Sequence, residues 1–229
     1  MSSVATLPRP QAMLLDLDGT LVDTVAQRVA SWVVAFEREG IAADPRELGP
    51  LMGGDGRWVA REVAQRRGIT LDGAAQERID RVSGEWFGSH DADRTATPGA
   101  RDLLVALGDA GLPWAIATSS RPEQTSGSIA TLDLPSPPTV VDASHVRHAK
   151  PAPDLLLAGA SQLGVEPRHT WYVGDARWDM LAAVAAGMVP VAVLTGATDT
   201  DDLRAAGAAL VVATLVDLHA LLRDAGITT

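Results

Sequence analysis

From Gly99 to the C-terminus the chain alternates short apolar runs with helical patterns, and this alternation limits the fold more than any other feature of the sequence. Ala100 to Gly111 reads as a helix stopped by glycine, Pro113 to Thr118 as a strand, Glu123 to Leu132 as a helix and Thr139 to Asp142 as a short strand. Pro153 to Leu163, Asp179 to Ala186, Asp201 to Ala206 and Leu215 to Leu222 continue the helices. Thr170 to Val173, Val189 to Leu194 and Ala209 to Val212 continue the strands. Strands separated by helices imply a parallel sheet covered on both faces. The expected fold class is α/β, with a doubly wound parallel sheet.

The first strand, Ala12 to Asp16, stands apart from this series. Between residues 24 and 92 the pattern is helical, with little strand signal. Val25, Val29, Trp32, Val33 and Phe36 recur at near-helical spacing across Asp23 to Glu39, Pro45 to Leu51 and Arg57 to Arg67 follow as further helices, and Leu71 to Phe87 reads as one or two more. Asp91 to Pro98 is polar and ends in Thr97-Pro98-Gly99, a chain-turning boundary. The expected organisation is a core made of residues 1–22 and 95–229, interrupted by an inserted helical cap at 23–94.

Open parallel sheets bind ligands outside the carboxyl ends of their strands. The strand ends are therefore the place to look for chemistry. The first opens into Asp16-Leu17-Asp18-Gly19-Thr20. Two carboxylates so close repel unless a cation lies between them or one keeps its proton, and a carboxylate can attack phosphorus. Gly19 permits the sharp turn and Thr20 places a hydroxyl beside the acids. Taken alone, the pair is equally a solvated turn. The second strand ends in Thr118-Ser119, the loop after the third carries Lys150, and the fourth ends in Gly174-Asp175 with Asp179 close behind. Hydroxyls and lysine suit a phosphate, while a few carboxylates suit Mg²⁺. Each has a bland rival: Asp175 as a turn residue, Asp179 as a helix cap, Lys150 and Arg121 as surface charges.

Composition narrows the partners. The 229 residues carry a formal net charge of -10 and no cysteine. That balance argues against nucleic acid or an anionic membrane as partner, and rules out disulfides and thiolate metal sites. Met1 to Pro10 lacks the apolar stretch of a signal peptide, and no apolar run is long enough to span a bilayer. The expectation is a cytoplasmic protein acting on a small phosphorylated metabolite.

In their order these motifs resemble the haloacid dehalogenase superfamily. The run Asp16-Leu17-Asp18-Gly19-Thr20-Leu21-Val22-Asp23-Thr24 is similar to its first motif, Thr118 to its second, Lys150 to its third, and Gly174-Asp175 with Asp179 to its fourth. The nearest likeness is to the helical-cap branch of phosphoglycolate phosphatases and β-phosphoglucomutases. This resemblance implies a Rossmann-like core and a Mg²⁺-dependent phosphatase that passes through an aspartyl phosphate. It implies Asp16 as nucleophile and Asp18 as acid and base. Thr118 and Lys150 would hold the phosphoryl group. Mg²⁺ would be bound by Asp16, the Asp18 backbone carbonyl and Asp175, with Asp179 in support. Thr20 and Ser119 are expected near the substrate, although many relatives have asparagine where Ser119 stands.

Two alternatives remain at this stage: a sugar-phosphate mutase and a noncatalytic module that keeps the fold. The mutase branch leads one to expect a histidine where Arg28 stands, so Arg28 leans toward hydrolysis. The loop Gly53-Gly54-Asp55-Gly56 with Arg57 is either a specificity element of the cap or an ordinary glycine turn. His90, Asp91 and Asp93 have metal-ligand spacing but fall in the expected hinge, and Trp32, Trp58 and Trp86 read as cap core.

Overall fold

A computed structural model describes residues 7–91 and 94–228. In chain order the elements are β1 (Ala12–Leu15), β2 (Val22–Asp23), α1 (Val25–Arg38), α2 (Pro45–Leu48), α3 (Gly56–Arg66), α4 (Gly73–Ser89), β3 (Thr95–Ala96), α5 (Ala100–Asp109) and β4 (Trp114–Ala117). They continue as α6 (Pro122–Thr131), β5 (Val140–Val141), α7 (Asp154–Leu163), β6 (Thr170–Gly174), α8 (Arg177–Ala186), β7 (Val189–Val193), α9 (Thr200–Ala205), β8 (Leu210–Val212) and α10 (Leu215–Asp224).

Six strands form one parallel sheet in the order β5-β4-β1-β6-β7-β8. The doubly wound α/β fold expected from the alternation is the fold the chain adopts. β1 is central, and its side chains alternate between two apolar layers, as a strand buried on both faces requires. Met13 and Leu15 join Leu103 and Leu107 of α5 and Leu218 and Leu222 of α10. Leu14 joins Leu155 and Leu156 of α7 and Ala182 and Ala183 of α8. The order places β1 beside β4 and β6, so the ends of these three strands meet at one sheet edge.

Between β2 and β3 lie four helices that the sequence pattern marks well. Asp44, Asp55 and Asp72 each accept a backbone N–H at the start of α2, α3 and α4. The helices bury Trp32, Phe36, Leu48, Val59, Val63 and Ile79 together, in a cluster separate from the two sheet layers. Leu71 to Phe87, which left room for two helices, forms the single helix α4. The Pro45 to Leu51 stretch divides at Gly49, where a short 3-10 turn begins. The pairing of β2 with β3 was not expected: Val22 faces Ala96 and Asp23 faces Thr95 in an antiparallel ribbon. Two-residue strands are too short to show a period of two. No helix among the described residues is long and apolar enough to cross a membrane.

Phe36 is fully buried in the insert's own cluster. Phe36→Ala is expected to lower stability by about 3–5 kcal/mol, read from the urea unfolding midpoint. A loss below about 1 kcal/mol would mean that the four helices do not depend on this packing.

Candidate active site

β1 stops at Leu15, so Asp16 stands just past the sheet ladder, its N–H still bonded to the Val173 carbonyl at 2.9 Å. Its carboxyl group points away from bulk water and is 3% exposed as a residue. Asp175 follows the end of β6 and is closely walled. An ideal Cβ on Gly19, whose φ is 87°, would lie 2.6 Å from Asp175 Oδ2, and one on Gly196 would lie 1.9 Å from the same oxygen. Only glycine at both positions leaves this carboxylate its place. Asp179 is not the N-cap of α8, which is Ala176; it stands in the first turn and reaches back to accept the Ala176 N–H at 2.9 Å while keeping a place in the acid cluster.

Ligand oxygens of Asp16, Asp175 and Asp179 lie within 4.8 Å of one another, and all three residues are buried. Lys150, itself 1% exposed, is inserted among them. Its Nζ donates to Asp179 Oδ1 at 2.7 Å and to the Tyr172 hydroxyl at 3.2 Å. It also stands 2.9 Å from Asp16 Oδ1, an ion-pair contact without a directed hydrogen bond. Tyr172 is the hub behind the lysine, with its hydroxyl 3.1 Å from both Asp179 Oδ1 and the Ala117 carbonyl.

Burial sets the protonation equilibria. It pushes the Asp16 carboxyl up to about 7, against the opposing pull of Lys150. Asp175 is raised well above the carboxylate range by burial and by Asp179 and Asp16. Burial would lower Lys150, but Asp16 and Asp179 outweigh it and hold the ammonium charged. Fully ionised, the three carboxylates would carry two negative charges more than the one ammonium balances, and burial answers that excess by holding protons on Asp16 and Asp175. A divalent cation with oxygen preference fits that donor set and that imbalance.

Asp18 turns away from this cluster. Its Oδ2 accepts from Arg28 Nη2 at 2.7 Å and from the Ser120 hydroxyl, and its Oδ1 is buried without a hydrogen-bond partner. Burial opposes ionisation here, yet Arg28 and Ser120 overcome it and hold the carboxyl below its usual range. The carboxylate of Asp18 is therefore outside the acid cluster, which leaves its expected metal contact to the backbone carbonyl. Thr118 is 1% exposed, and its Oγ1 accepts the Ser120 N–H at 3.2 Å. Ser119 Oγ is buried and unpartnered.

Asp16, Asp18, Thr118, Ser119, Lys150 and Asp175 open on one cavity of about 830 Å³ between the sheet edge and the four helices. Thr20 does not. It is fully buried and donates its hydroxyl to Asp175 Oδ1 at 2.7 Å, so the substrate contact expected of it is replaced by a hold on the acid. Arg57 lines the cavity's outer part with its side chain 56% exposed and 3.9 Å from Glu77. The loop before it, Gly53 to Gly56, lines the same cavity and also packs on protein: an ideal Cβ on Gly54 would lie 3.2 Å from the Trp178 ring, and Trp58 meets Trp178 edge-on at 4.8 Å. Arg121 bridges from the start of α6 to Glu77 and Asp80 of α4 at 3.4 and 3.6 Å. His90 stacks on Trp86 with Nδ1 2.8 Å from that residue's carbonyl, and Asp93 lies outside the described residues. Trp32 is in the insert's apolar cluster.

Sequence reasoning missed Tyr172 and Ser120. Tyr172 reads as one more apolar residue of a strand, and its polar end shows only through the neighbours the fold supplies. Ser120 lies one residue beyond the strand-end pair, and its side chain points at Asp18 because the loop turns there.

The haloacid dehalogenase-like hydrolase family matches residues 13–193 of the chain. Hexitol phosphatase A of Escherichia coli K12 is 34% identical over 189 residues, covering 81% of this chain and 83% of that protein. A phosphoglycolate phosphatase of Chromobacterium violaceum is 30% identical over 218 residues, covering 93% and 97% respectively. The crystal structure of a hydrolase from Pseudomonas syringae superposes with a TM-score of 0.88 at 31% identity, covering 93% of this chain and 98% of that one. A family match that runs from the first strand through β7, joined to relatives similar over most of their length, shows that the chain belongs to the haloacid dehalogenase-like hydrolases.

Proposed function

We propose that this enzyme is a Mg²⁺-dependent phosphatase that hydrolyses a small phosphate monoester of the polyol- or sugar-phosphate class through an aspartyl phosphate on Asp16. The observation that carries the reading is the buried set Asp16, Asp175, Asp179 and Lys150, in which one ammonium faces three acids, with Asp16, Asp175 and Lys150 on a cavity that also holds Asp18. A binding module has no use for three acids crowded around one lysine, nor for a further carboxylate held separately.

In this reading Asp16 attacks phosphorus from below while the ester oxygen leaves upward. Asp18 gives that oxygen a proton, then takes one from the water that hydrolyses the acyl phosphate. Lys150 presents positive charge to the phosphoryl oxygens, kept in place by Asp179 and Tyr172. Ser119 Oγ and the Thr118 hydroxyl supply further donors, while the N–H groups of Thr118 and Ser120 are taken by the Val141 carbonyl and by Thr118 Oγ1. Mg²⁺ held by Asp16 and Asp175, with Asp179 in support, supplies the charge that lets an anionic nucleophile meet an anionic ester. Phosphoryl transfer asks mainly for such positioning and neutralisation.

The four helices act as a cap over this floor, and their wall supports the substrate class. Arg57, Arg81 and Arg121 are each already near a carboxylate, Glu77, Glu85 and the Glu77–Asp80 pair in turn. A neutral leaving group with several hydroxyls can join these three sites without breaking their pairs, whereas a carboxylate has to compete with them or turn to Arg147, which also lines the cavity and has no ion pair among the described residues. The hexitol-phosphatase relative supports the same class. Arg28 favours hydrolysis over mutase chemistry.

Asp16→Asn is expected to lower turnover of p-nitrophenyl phosphate and of a hexitol phosphate by roughly 10³-fold or more, with the circular dichroism spectrum unchanged. A rate within about tenfold of wild type would remove Asp16 as nucleophile. Asp175→Ala is expected to raise the Mg²⁺ concentration for half-maximal activity at least about tenfold, and EDTA to silence the wild type. An unchanged Mg²⁺ requirement would overturn the metal assignment.

A further inference from the structure

Arg28 belongs to α1, among the four helices, yet its guanidinium ends beside the acids of the sheet edge. Nη2 lies 2.7 Å from Asp18 Oδ2 and also meets the Ser120 hydroxyl. Ser120 donates to the same Asp18 oxygen. The guanidinium lies over the ring of Phe87, with its carbon 3.5 Å from the ring centre. Phe87 is fully buried, and Arg94 approaches the same ring at 3.9 Å. A planar cation on an aromatic face and among buried neighbours has little freedom to move.

We propose that Arg28 is the positioning residue for Asp18: with Ser120 it pins one carboxylate oxygen and leaves the other, Oδ1, without a protein partner and so available for proton transfer. Two donors on one oxygen stop the carboxylate from rotating about its last bond. Oδ1 is the atom left over, buried and without a partner among the described residues. Ser120 and Asp18 come from the sheet edge and Arg28 from the helices, so this arrangement exists only while the helices are seated. The orientation of Asp18 is thereby tied to the seating of the helices.

The inference rests on the reading of Asp18 as acid and base. In the first half-reaction Asp18, which Arg28 and Ser120 hold ionised, takes up a proton as the anionic ester enters; the ester P–O bond then breaks, a P–O bond to Asp16 forms, and that proton goes from Asp18 to the ester oxygen. In the second, the oxygen of water bonds to phosphorus, the bond to Asp16 breaks, and Asp18 takes the proton from water.

The test compares an alkyl monoester, the best of a panel headed by glucitol 6-phosphate, with p-nitrophenyl phosphate, whose leaving group departs without a proton. Arg28→Ala is expected to lower kcat on the alkyl ester on the order of ten- to a hundredfold. On p-nitrophenyl phosphate it is expected to give a rapid burst of nitrophenolate and then slow turnover, because only the water step still needs Asp18. Asp18→Asn should show the same pattern, and the double variant should lose no more than Asp18→Asn alone. Free guanidinium should restore part of the Arg28→Ala rate. Arg28→Lys and Ser120→Ala, each keeping one of the two donors, should fall between wild type and Arg28→Ala, and they carry the test if Arg28→Ala does not fold. Equal losses on both esters without a burst, or additive losses in the double variant, overturn the proposal. If Asp18→Asn is impaired while Arg28→Ala keeps the wild-type rate on the alkyl ester, the role of Arg28 alone falls. If Asp18→Asn itself keeps that rate, the acid–base reading falls with it.

Discussion

The rest of the site depends on one buried ammonium. Lys150 is closed off from water and set against Asp16 and Asp179, with Tyr172 behind it. Without that charge, three carboxylates within 4.8 Å of one another could not all be kept from water, since a buried unpaired anion costs several kcal/mol or takes up a proton instead. The lysine lessens the repulsion without cancelling it. It leaves a place whose electrostatics call for a further cation, and whose walls, set by Gly19 and Gly196, are too close to admit any bulkier residue beside Asp175. The sheet supports this economically. β1, β4 and β6 are adjacent, so one short edge carries the acids and hydroxyls, and the Lys150 loop following β5 needs only to fold back over it.

A second layer of charge lies above the first and is arranged differently. Asp18 is paired with Arg28, and Glu77 and Asp80 with Arg121, each pair linking the helices to the sheet edge. Arg94 has no carboxylate within ion-pair distance among the described residues. It instead donates to Gln27 Oε1, the Phe87 and Gln124 carbonyls and the Ser128 hydroxyl. Neutral acceptors from α1, α4 and α6 thus surround one buried guanidinium where the chain re-enters the sheet domain. Together with the Trp58–Trp178 contact, these links give the two parts a defined relative position through a few specific contacts.

Much of this was legible in the sequence, and the limits have physical causes. The parallel sheet followed from alternation, and the acids, Thr118 and Lys150 could be singled out because strand ends in such a sheet converge. What could not be read was direction. Thr20 sits beside the acids in sequence, but its hydroxyl turns back to Asp175 because the Gly19 turn folds the chain onto that carboxylate. The glycine loop before Arg57 suggested close approach to a ligand; the loop does line the cavity, and what Gly54 approaches closely is the indole of Trp178. Tyr172 and Ser120 gain their roles from residues tens of positions away, and one sequence without its contacts gives no sign of either.

The ribbon of β2 and β3 has a further consequence. The chain leaves for the helices at Asp23 and returns at Thr95, and these two residues are paired directly across it. Viewed from the sheet, everything between them is the loop of a hairpin. The strand register beyond the ribbon does not depend on how long that loop is, because closing a longer loop costs only a slowly growing entropy. The same scaffold can therefore accept a shorter, longer or differently wound segment at this one junction without moving Asp16, Lys150 or Asp175. Modularity of this kind is a property of the junction, and it separates the part of the chain that can vary from the part that holds the buried charge.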